Sequence, residues 1–296
     1  MDISASPETV NHQARAELAV VVIALRAPDS LLEAVSSLLH QETRMEIVVV
    51  NTGGGQAAAK LNSRGLDVTV IEREEALYPG AARNIGIKAT TAEFVAFLAS
   101  DCQAGPGWAA KRLAKHRAGF PAVASALLPI PTNSVIAWAS HLSLFVRRLP
   151  QNSRLTALPY GASFRRSLFD TYGLFSEELR TGEDTDFALR LPLALRPVWA
   201  PDVVTFHQSP TRLRHMLRDQ FRRGRLASSY WRKLGGRGLI SDLWRRMADP
   251  IRLSRRIGAG KDDVVHKAWL LMPLCAGAYC LGLAIGSAEV TPNAGE

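Results

Sequence analysis

The sequence predicts an α/β fold built on a doubly wound, mostly parallel sheet. Apolar runs of six to eight residues alternate with segments whose apolar residues recur at helical spacing. Several of these runs end abruptly in polar or glycine residues, as strands do at the carboxyl edge of a parallel sheet. This rapid alternation of strand and helix is the pattern of a doubly wound sheet.

The first strand is predicted over Leu18–Leu25, a valine-rich run that suits burial on both faces of the sheet. Pro28, Asp29 and Ser30 end this run, and the apolar residues of Leu31–Leu39 then recur at the spacing of a helix. The later strands and the helix between the last two are predicted over Met45–Val50, Leu66–Ile71, Ala81–Ala89 and Glu93–Leu98.

Composition and charge describe a globular chain with one strongly basic region. The 296 residues are 47% hydrophobic and 21% charged, which argues against disorder. Residues 211–267 contain 16 Lys and Arg but only 5 Asp and Glu, a net charge of +11, so the rest of the chain carries −2 of the total +9. The three cysteines have neither disulfide nor zinc spacing, which predicts a reducing compartment. The polar residues 1–17 contain no secretory signal pattern.

Polar residues at two strand ends mark a candidate ligand site. Asn51 precedes the run Gly53–Gly55, and Asp101 follows the fourth strand. The glycine run is either a flexible turn or a place where backbone approaches a ligand closely. It matches neither the G-x-G-x-x-G fingerprint nor the P-loop, which argues against a dehydrogenase or a P-loop NTPase.

The stretch GEDTDFALRL predicts a helix whose first turn carries adjacent carboxylates. Glu183, Asp184 and Asp186 open it, and Thr181 stands at a loose capping-box spacing from Asp184. Acids in a first turn stabilise a helix through its dipole, so a solvated or capping role and a chemical role both stay open at this point.

Four motifs then occur in order and in spacing: VVVNTGGG, PGAARNIGIKAT, FVAFLASDCQAGPGW and GASFRRSLFDTYGLFSEELRTGEDTDFALRL. Together they resemble a family 2 glycosyltransferase with the GT-A fold, over about residues 18–210. The resemblance implies transfer of a sugar from a nucleotide-diphosphate donor. It assigns the nucleotide base to Asn51 and the donor-facing start of a helix to Arg83 and Asn84. An arginine there could pair with the diphosphate, or Arg83 could be an ordinary surface arginine.

The resemblance also assigns the catalytic acids and the metal. Glu183 and Asp184 match the family's acceptor-side pair, with Asp184 expected to be the base and Glu183 second. The family's D-x-D motif reads Ala99-Ser100-Asp101 here, so its first acid is missing. Asp101 is the expected ligand of Mg²⁺ or Mn²⁺. His207 is either a further ligand or a structural histidine.

The last third is basic and then apolar. Arginines interleaved with apolar residues predict amphipathic helices over 211–267, and anionic lipid fits them better than nucleic acid, for which no binding motif is present. The uncharged stretch Ala268–Ala288 is long enough to cross a membrane, or it lies in the interface. Its small residues Ala278, Gly282 and Gly286 form one face for pairing with a second helix, such as that of another copy in a homo-oligomer. Residues 289–296 form a short tail.

These expectations combine into a membrane-associated, inverting glycosyltransferase at the cytoplasmic face of the inner membrane. Its acceptor is expected to be lipid-linked or a cell-envelope glycan. Two alternatives stay open: a membrane adaptor that binds a nucleotide sugar without transfer, suggested by Ala99, and a nucleotidyltransferase that releases pyrophosphate.

Overall fold

The computed structural model describes residues 16–152, 159–233, 239–255 and 262–288. Its strands are β1 Leu18–Leu25, β2 Met45–Thr52, β3 Thr69–Arg73, β4 Phe94–Ala99, β5 Cys102–Ala104, β6 Ala122–Pro129, β7 Ser163–Arg165 and β8 Val198–His207. Its helices are α1 Ser30–Leu39, α2 Ala57–Asn62, α3 Pro79–Lys88, α4 Trp108–Arg117, α5 Val135–Phe145, α6 Ser167–Tyr172, α7 Glu183–Arg190, α8 Leu213–Lys233, α9 Leu239–Ser254, α10 Asp262–Trp269 and α11 Met272–Ala288. Short 3₁₀ helices lie at Val146–Arg148 and Leu193–Leu195.

One sheet with strand order β3-β2-β1-β4-β7-β6-β8-β5 organises the chain. β1 pairs in parallel with β2 and β4, β2 pairs with β3, and β6 pairs with β8. The short β7 and β5 run antiparallel to their neighbours. Since β4 and β6 are both antiparallel to β7, the carboxyl ends of all the long strands meet at one edge. The predicted α/β fold class is confirmed, and this edge is where such sheets bind ligands.

The predicted strands and helices of the first half are present, with shifted ends. β1 has the predicted bounds, and β2 continues through Asn51 to Thr52. β3 begins only at Thr69, because Leu66 and Val68 pack against the core from the preceding loop. These differences are local, since strand ends depend on pairing with neighbours as well as on the apolar pattern.

Helices cover both faces of the sheet. α1, α2 and α4 pack on one face, where Trp108 is fully buried and donates from Nε1 to Thr205 Oγ1 at 2.8 Å. α3, α6 and α7 pack on the other around a cluster of aromatic rings that includes Phe97, Phe164 and Phe187. Trp108 therefore anchors α4 in the core.

The C-terminal helices form a further layer against α5. α8, α10 and α11 share an apolar cluster with α5 that includes Trp138, Met216, Ala268 and Met272. The expected continuous helix over 268–288 is wrong, because the chain breaks between Trp269 and Met272. Within the described residues, no single helix is long and apolar enough to cross a membrane, whereas 263–269 and 272–286, bent by 44°, pass together by length and composition.

Glycines allow α8 and α11 to pack in unusually close contact. A Cβ at Gly282 would overlap the carbonyl oxygen of Phe221, and one at Gly224 would overlap that of Tyr279. A Cβ at Gly286 would lie 2.6 Å from the carbonyl oxygen of Arg225. Two members of the predicted small-residue face therefore contact α8 of the same chain.

Candidate active site

A cavity of about 440 Å³ opens at the carboxyl edge of the sheet. It is lined by parts of α3, α7, α8, the turn between β4 and β5, and the 3₁₀ helix at Val146–Arg148. Four of the residues singled out in the sequence line this cavity together: Arg83, Asp101, Glu183 and Asp184. Asn51, Asn84 and His207 are not among the lining residues, although His207 contacts Asp101.

The two acids that open α7 enter the cavity from the first turn of that helix. The helix is capped by Gly182 in a left-handed conformation (φ 85°), and no side chain accepts a capping hydrogen bond. The capping-box interpretation is therefore wrong, because the glycine conformation starts the helix without help from Thr181. Asp184 Oδ1 accepts hydrogen bonds from the backbone N–H of Thr185 at 2.7 Å and from its hydroxyl at 3.3 Å.

Glu183 is paired with Arg83 at the wall of the cavity. The two side chains are each 7% exposed and form a short ion pair. The guanidinium of Arg83 also lies 5.3 Å from the centre of the Phe175 ring. The interpretation of Arg83 as a surface arginine is wrong, and Glu183 already has a cationic partner. Asp184 is thus the less engaged of the two carboxylates.

Asp101 and His207 meet at the end of the sheet. His207 Nε2 lies 3.5 Å from Asp101 Oδ2, and its Nδ1 lies 3.2 Å from the Ser209 hydroxyl. The backbone at Asp101 is also fixed, because its carbonyl oxygen accepts a hydrogen bond from the Gln208 N–H at 2.8 Å. Burial raises the pKa of the Asp101 carboxyl, but His207 and the charge of Arg223 outweigh it and hold that pKa below its usual value. Asp101 is therefore ionised at neutral pH.

The donor set at this point fits a divalent cation that is partly coordinated by substrate. Asp101 supplies a carboxylate oxygen and His207 supplies an imidazole nitrogen, and these two atoms lie 3.5 Å apart. In the part of the chain that the structure describes, they are not joined by a third His, Cys, Asp or Glu in a metal-binding group. Mg²⁺ usually takes its other ligands from substrate phosphates and water, and carboxylate and water oxygens suit Mn²⁺ as well.

Asn51 shapes the backbone at the carboxyl ends of β1 and β2. It is fully buried, and its Oδ1 accepts from Ala27 N–H at 2.9 Å while its Nδ2 donates to the Gly54 carbonyl at 2.7 Å. Ala27 has a positive φ of 41°, a strained conformation for a residue with a Cβ. Asn51 therefore supports a strained turn next to the glycine run. Its contact with a nucleotide base stays a prediction.

Asn84 connects α3 to the segment that precedes α7. Its Nδ2 donates to the Phe175 carbonyl and to Glu177 Oε1, both at 2.9 Å, and its Oδ1 accepts from Phe175 N–H at 3.1 Å. The side chain is 1% exposed. This arrangement holds Arg83, the preceding residue, in position.

Three arginines line the cavity that the sequence did not single out for it: Arg148, Arg180 and Arg223. Arg148 is buried and donates to the carbonyl oxygens of Ser125 and Tyr160, both at 2.6 Å. Arg223 comes from the basic α8. Its position beside the cavity depends on tertiary packing. The spacing of Met216, Gln220 and Arg223, which puts the three residues on one face of α8, is visible in the sequence.

The comparisons with known proteins agree with this architecture. A family model described as glycosyl transferase family 2 matches residues 19–173. A pre-mycofactocin glycosyltransferase from Mycobacterium tuberculosis is 28% identical over 222 residues, covering 71% of this chain and 46% of the relative. The chain thus spans less than half the length of that curated relative.

Solved structures share the fold at low sequence identity. A mannosyltransferase from Pyrobaculum calidifontis, in complex with GDP-Man and Mn²⁺, has a TM-score of 0.63 and 15% identity and covers 95% of this chain and 89% of its own. TarS residues 1–349 from S. aureus, in complex with UDP-GlcNAc, has a TM-score of 0.52 and 18% identity, with 92% and 91% covered. The family match extends over more than half of the sequence, so this chain belongs to glycosyl transferase family 2.

Proposed function

We propose that this protein transfers a sugar from a nucleoside diphosphate sugar to a hydroxyl group of an acceptor. The observation that carries the proposal is the cavity in which Asp101 and Asp184 lie among arginines at the carboxyl edge of the sheet. Cations suit a diphosphate, and a partly exposed carboxylate suits an acceptor hydroxyl. Family membership supports the same reaction class.

In this mechanism Asp184 removes the proton from the acceptor hydroxyl. The acceptor oxygen forms a bond to the anomeric carbon as the bond from that carbon to the phosphate oxygen breaks, and the nucleoside diphosphate leaves with the electron pair. A single displacement of this kind inverts the anomeric configuration. Glu183 holds Arg83 in the cavity wall and takes no proton.

The leaving diphosphate requires positive charge. A Mg²⁺ or Mn²⁺ held by Asp101 and His207 would supply Lewis-acid stabilisation of that group. The protein's own arginines at the cavity contribute further charge to bind and orient the donor. The mannosyltransferase from P. calidifontis was solved with GDP-Man and Mn²⁺, which supports a divalent cofactor here.

The acceptor we propose is lipid-linked or belongs to a cell-envelope glycan, and it is reached at the cytoplasmic face of the inner membrane. Exposed apolar residues on the C-terminal layer support this proposal: Leu270, Leu274, Leu281 and Ile285. The net charge of +11 over residues 211–267 would attract anionic lipid. The membrane location brings the cavity close to a lipid-borne acceptor.

The test is incubation of the purified chain with UDP-, GDP-, ADP- and dTDP-sugars, with and without lipid extract. Release of a nucleoside diphosphate, with a product of inverted anomeric configuration by NMR, would support the proposal. Donor binding without any release in the presence of acceptor extract would favour the adaptor. Release of pyrophosphate instead of a nucleoside diphosphate would indicate a nucleotidyltransferase.

A further inference from the structure

A turn over Pro159–Ala162 contributes to the wall of the cavity. It is closed by the backbone N–H of Ala162, which donates to the Pro159 carbonyl at 3.0 Å, and Gly161 has a positive φ of 62° within it. Pro159 and Tyr160 are the two residues of the turn that line the cavity. A displacement of the turn would therefore move the Tyr160 side chain relative to the rest of the site.

Tyr160 also packs against the chain next to the candidate metal ligand. Its hydroxyl lies 3.9 Å from the Sγ of Cys102, which is 2% exposed and directly follows Asp101. Its ring centre lies 5.5 Å from that of Phe145 in α5. The position of the turn thus determines the shape of the cavity beside Asp101.

Two buried arginines hold the backbone at the centre of this turn. Arg148 donates to the Tyr160 carbonyl at 2.6 Å, and Arg112 of α4 donates from Nη2 to the Gly161 carbonyl at 2.7 Å. The peptide group between Tyr160 and Gly161 is the one that flips when a turn changes between types I and II. Hydrogen bonds to both carbonyls oppose that flip, so the turn is held in one form.

Arg112 also begins a hydrogen-bond chain in which the direction of each bond is fixed. Its Nη1 donates to the Ser163 hydroxyl oxygen at 3.1 Å, and that hydroxyl lies 2.8 Å from His116 Nε2. Burial lowers the pKa of His116 to about 4, so the ring is neutral at pH 7. Its Nδ1 donates to the Phe120 carbonyl at 2.8 Å, which leaves Nε2 to accept from the Ser163 hydroxyl. The chain therefore fixes the residue that follows the turn.

Packing alone does not require an arginine at position 112. Arg112 is fully buried, and among the described residues no carboxylate forms an ion pair with it. Burial and the charge of Arg148 lower its pKa to about 9, so it is still protonated at neutral pH. Burying a charge without a counterion is unfavourable, and an apolar side chain of similar volume would fill the space. The guanidinium thus contributes its directed hydrogen bonds.

We propose that Arg112 is a positioning residue for sugar transfer, which acts through Gly161 and Ser163 to hold Tyr160 in the wall of the cavity. The inference rests on the proposed function and adds a residue that is not among those lining the cavity. A displacement of about 1 Å in an active site lowers the rate of reaction about a hundredfold. Loss of the Arg112 hydrogen bonds should therefore impair transfer by a protein that is still folded.

The test compares Arg112→Met, Arg112→Lys and Ser163→Ala with Leu113→Ala. Leu113 is the next residue of α4 and is 3% exposed in the apolar core. Its truncation should destabilise the protein without removing a hydrogen bond to the turn. Each variant would be measured at the same interval below its own melting temperature, so that loss of fold is separated from displacement of the turn.

Two measurements would be made on the native protein. Labelling with iodoacetamide, followed by mass spectrometry of the peptides, reports how often Cys102 becomes accessible. Cys275 and Cys280 are buried in α11 and report general opening of the chain. The second measurement is kcat/KM for release of nucleoside diphosphate, with the donor and the lipid extract that the wild type uses.

We expect Arg112→Met and Ser163→Ala to raise labelling of Cys102 about tenfold relative to the other two cysteines, the effect of one lost hydrogen bond on local opening. Both should lower kcat/KM about ten- to a hundredfold, with Arg112→Lys intermediate and Leu113→Ala unchanged. Equal labelling of all three cysteines, or a fall in kcat/KM no larger than that of Leu113→Ala, would overturn the inference alone. A wild-type protein that transfers no sugar from any donor would overturn the proposed function with it.

Discussion

Glu183 and Asp184 are adjacent in the chain, yet their surroundings give them different chemistry. The side chain of Glu183 is 7% exposed and forms an ion pair with Arg83. Asp184 lines the cavity and accepts hydrogen bonds only from Thr185 among the described residues. If Glu183 took a proton, a buried arginine would lose its partner, which is costly. The local environment therefore favours Asp184 as the proton acceptor.

We predict that Asp184→Asn lowers the rate of transfer by about 10²- to 10⁴-fold, the usual contribution of a general base. Donor affinity should change little, because the amide keeps the shape of the side chain. The measurement is kcat for transfer beside the dissociation constant for the donor. Asp186→Asn is the control, since Asp186 lies in the same turn but pairs with Arg190 at 3.4 Å. Equal activity of Asp184→Asn and the wild type would remove Asp184 from this role.

A second prediction concerns Asp101 as a metal ligand. Asp101→Asn should abolish any gain in diphosphate affinity on addition of Mn²⁺, because a neutral amide is a poorer ligand. Ala99→Asp, which restores the missing acid, should keep or increase that gain. Asp202→Asn on the same strand as His207 serves as the control, since its side chain is half exposed and pairs with Lys115. Identical wild-type affinities in Mn²⁺ and in EDTA would contradict a metal at this site.

The site residues that the sequence predicts are those that lie in short, continuous motifs. Asp101, Arg83, Glu183 and Asp184 belong to motifs whose order is visible along the chain, and the structure brings them to one cavity. Arg223 lay in a helix whose amphipathic pattern was evident, but its approach to Asp101 depends on packing between distant segments. The periodicity of a helix in the sequence does not show which distant segments that helix will contact.

At the scale of elements, polar contacts join α3 to α7 and to the segment before α7, next to the aromatic cluster. Arg83 of α3 pairs with Glu183 of α7, and Asn84 binds the backbone of Phe175 between them. A Cβ at Gly80 would overlap the Ser176 carbonyl, which shows how closely α3 approaches this segment. The ion pair therefore holds two site-bearing elements together.

We predict that Glu183→Gln lowers the free energy of unfolding by about 3 kcal/mol, because it leaves the charge of Arg83 buried without a counterion. Asp263→Asn is the matched control, as Asp263 and Lys267 form an ion pair with side chains 82% and 58% exposed. Exposed pairs contribute about 0–1 kcal/mol. Urea unfolding of both variants checks this difference. Losses of similar size would contradict a structural role for the buried pair.

The contact between α8 and α11 gives a prediction in which two glycines respond in opposite directions. Gly282→Ala should destabilise the protein by about 1–3 kcal/mol, because its Cβ would overlap the Phe221 carbonyl. Gly277→Ala should stabilise it by about 0.5–1 kcal/mol, because nothing lies within 4 Å of a Cβ there and alanine favours a helix. Thermal and urea unfolding provide the comparison. A neutral Gly282→Ala would show that α11 is not packed on α8 in this register.

The contact between α8 and α11 also shows why the C-terminal helices are harder to predict from the sequence than the early strands. The early strands followed from continuous apolar runs, and β1 has its predicted bounds. The uncharged stretch Ala268–Ala288 satisfied the length of a membrane span, but helix–helix packing within the chain gives the same composition. Met272, Cys275 and Leu283 are buried against other helices, so their apolar character serves the core.

At the scale of the whole molecule, charge and exposed apolar surface coincide on the C-terminal layer. Leu270, Leu274, Leu281 and Ile285 form an outer apolar face, with exposures of 78%, 47%, 57% and 39%. Leu270 lies in the turn before α11, and the other three recur at helical spacing along α11, whereas the small residues Gly282 and Gly286 of that helix pack on α8. The basic region 211–267 directly precedes this face in the sequence. Such a surface suits the interfacial region of an anionic bilayer.

The last prediction is that this outer face attaches the protein to anionic membranes. Leu274→Gln, Leu281→Gln and Ile285→Gln together should abolish sedimentation with phosphatidylglycerol vesicles while donor binding and melting temperature stay close to wild type. A truncation before Ala268 is a poorer test, because it would remove buried Met272 and Leu283 from the core. Leu189→Gln with Leu193→Gln is the control, since both residues are exposed but lie outside the face, at 55% and 73%.

Salt separates the two contributions to this attachment. At about 0.5 M NaCl the Debye length falls to about 4 Å, so attraction between the basic residues and the lipid should be largely screened. Wild-type binding should weaken at that salt, and neutral phosphatidylcholine vesicles should bind less protein than anionic ones. Equal binding of the triple variant and the control pair would contradict the outer face as the attachment surface. Equal binding to neutral and anionic vesicles would remove the basic residues from it, since apolar burial alone does not distinguish the two lipids.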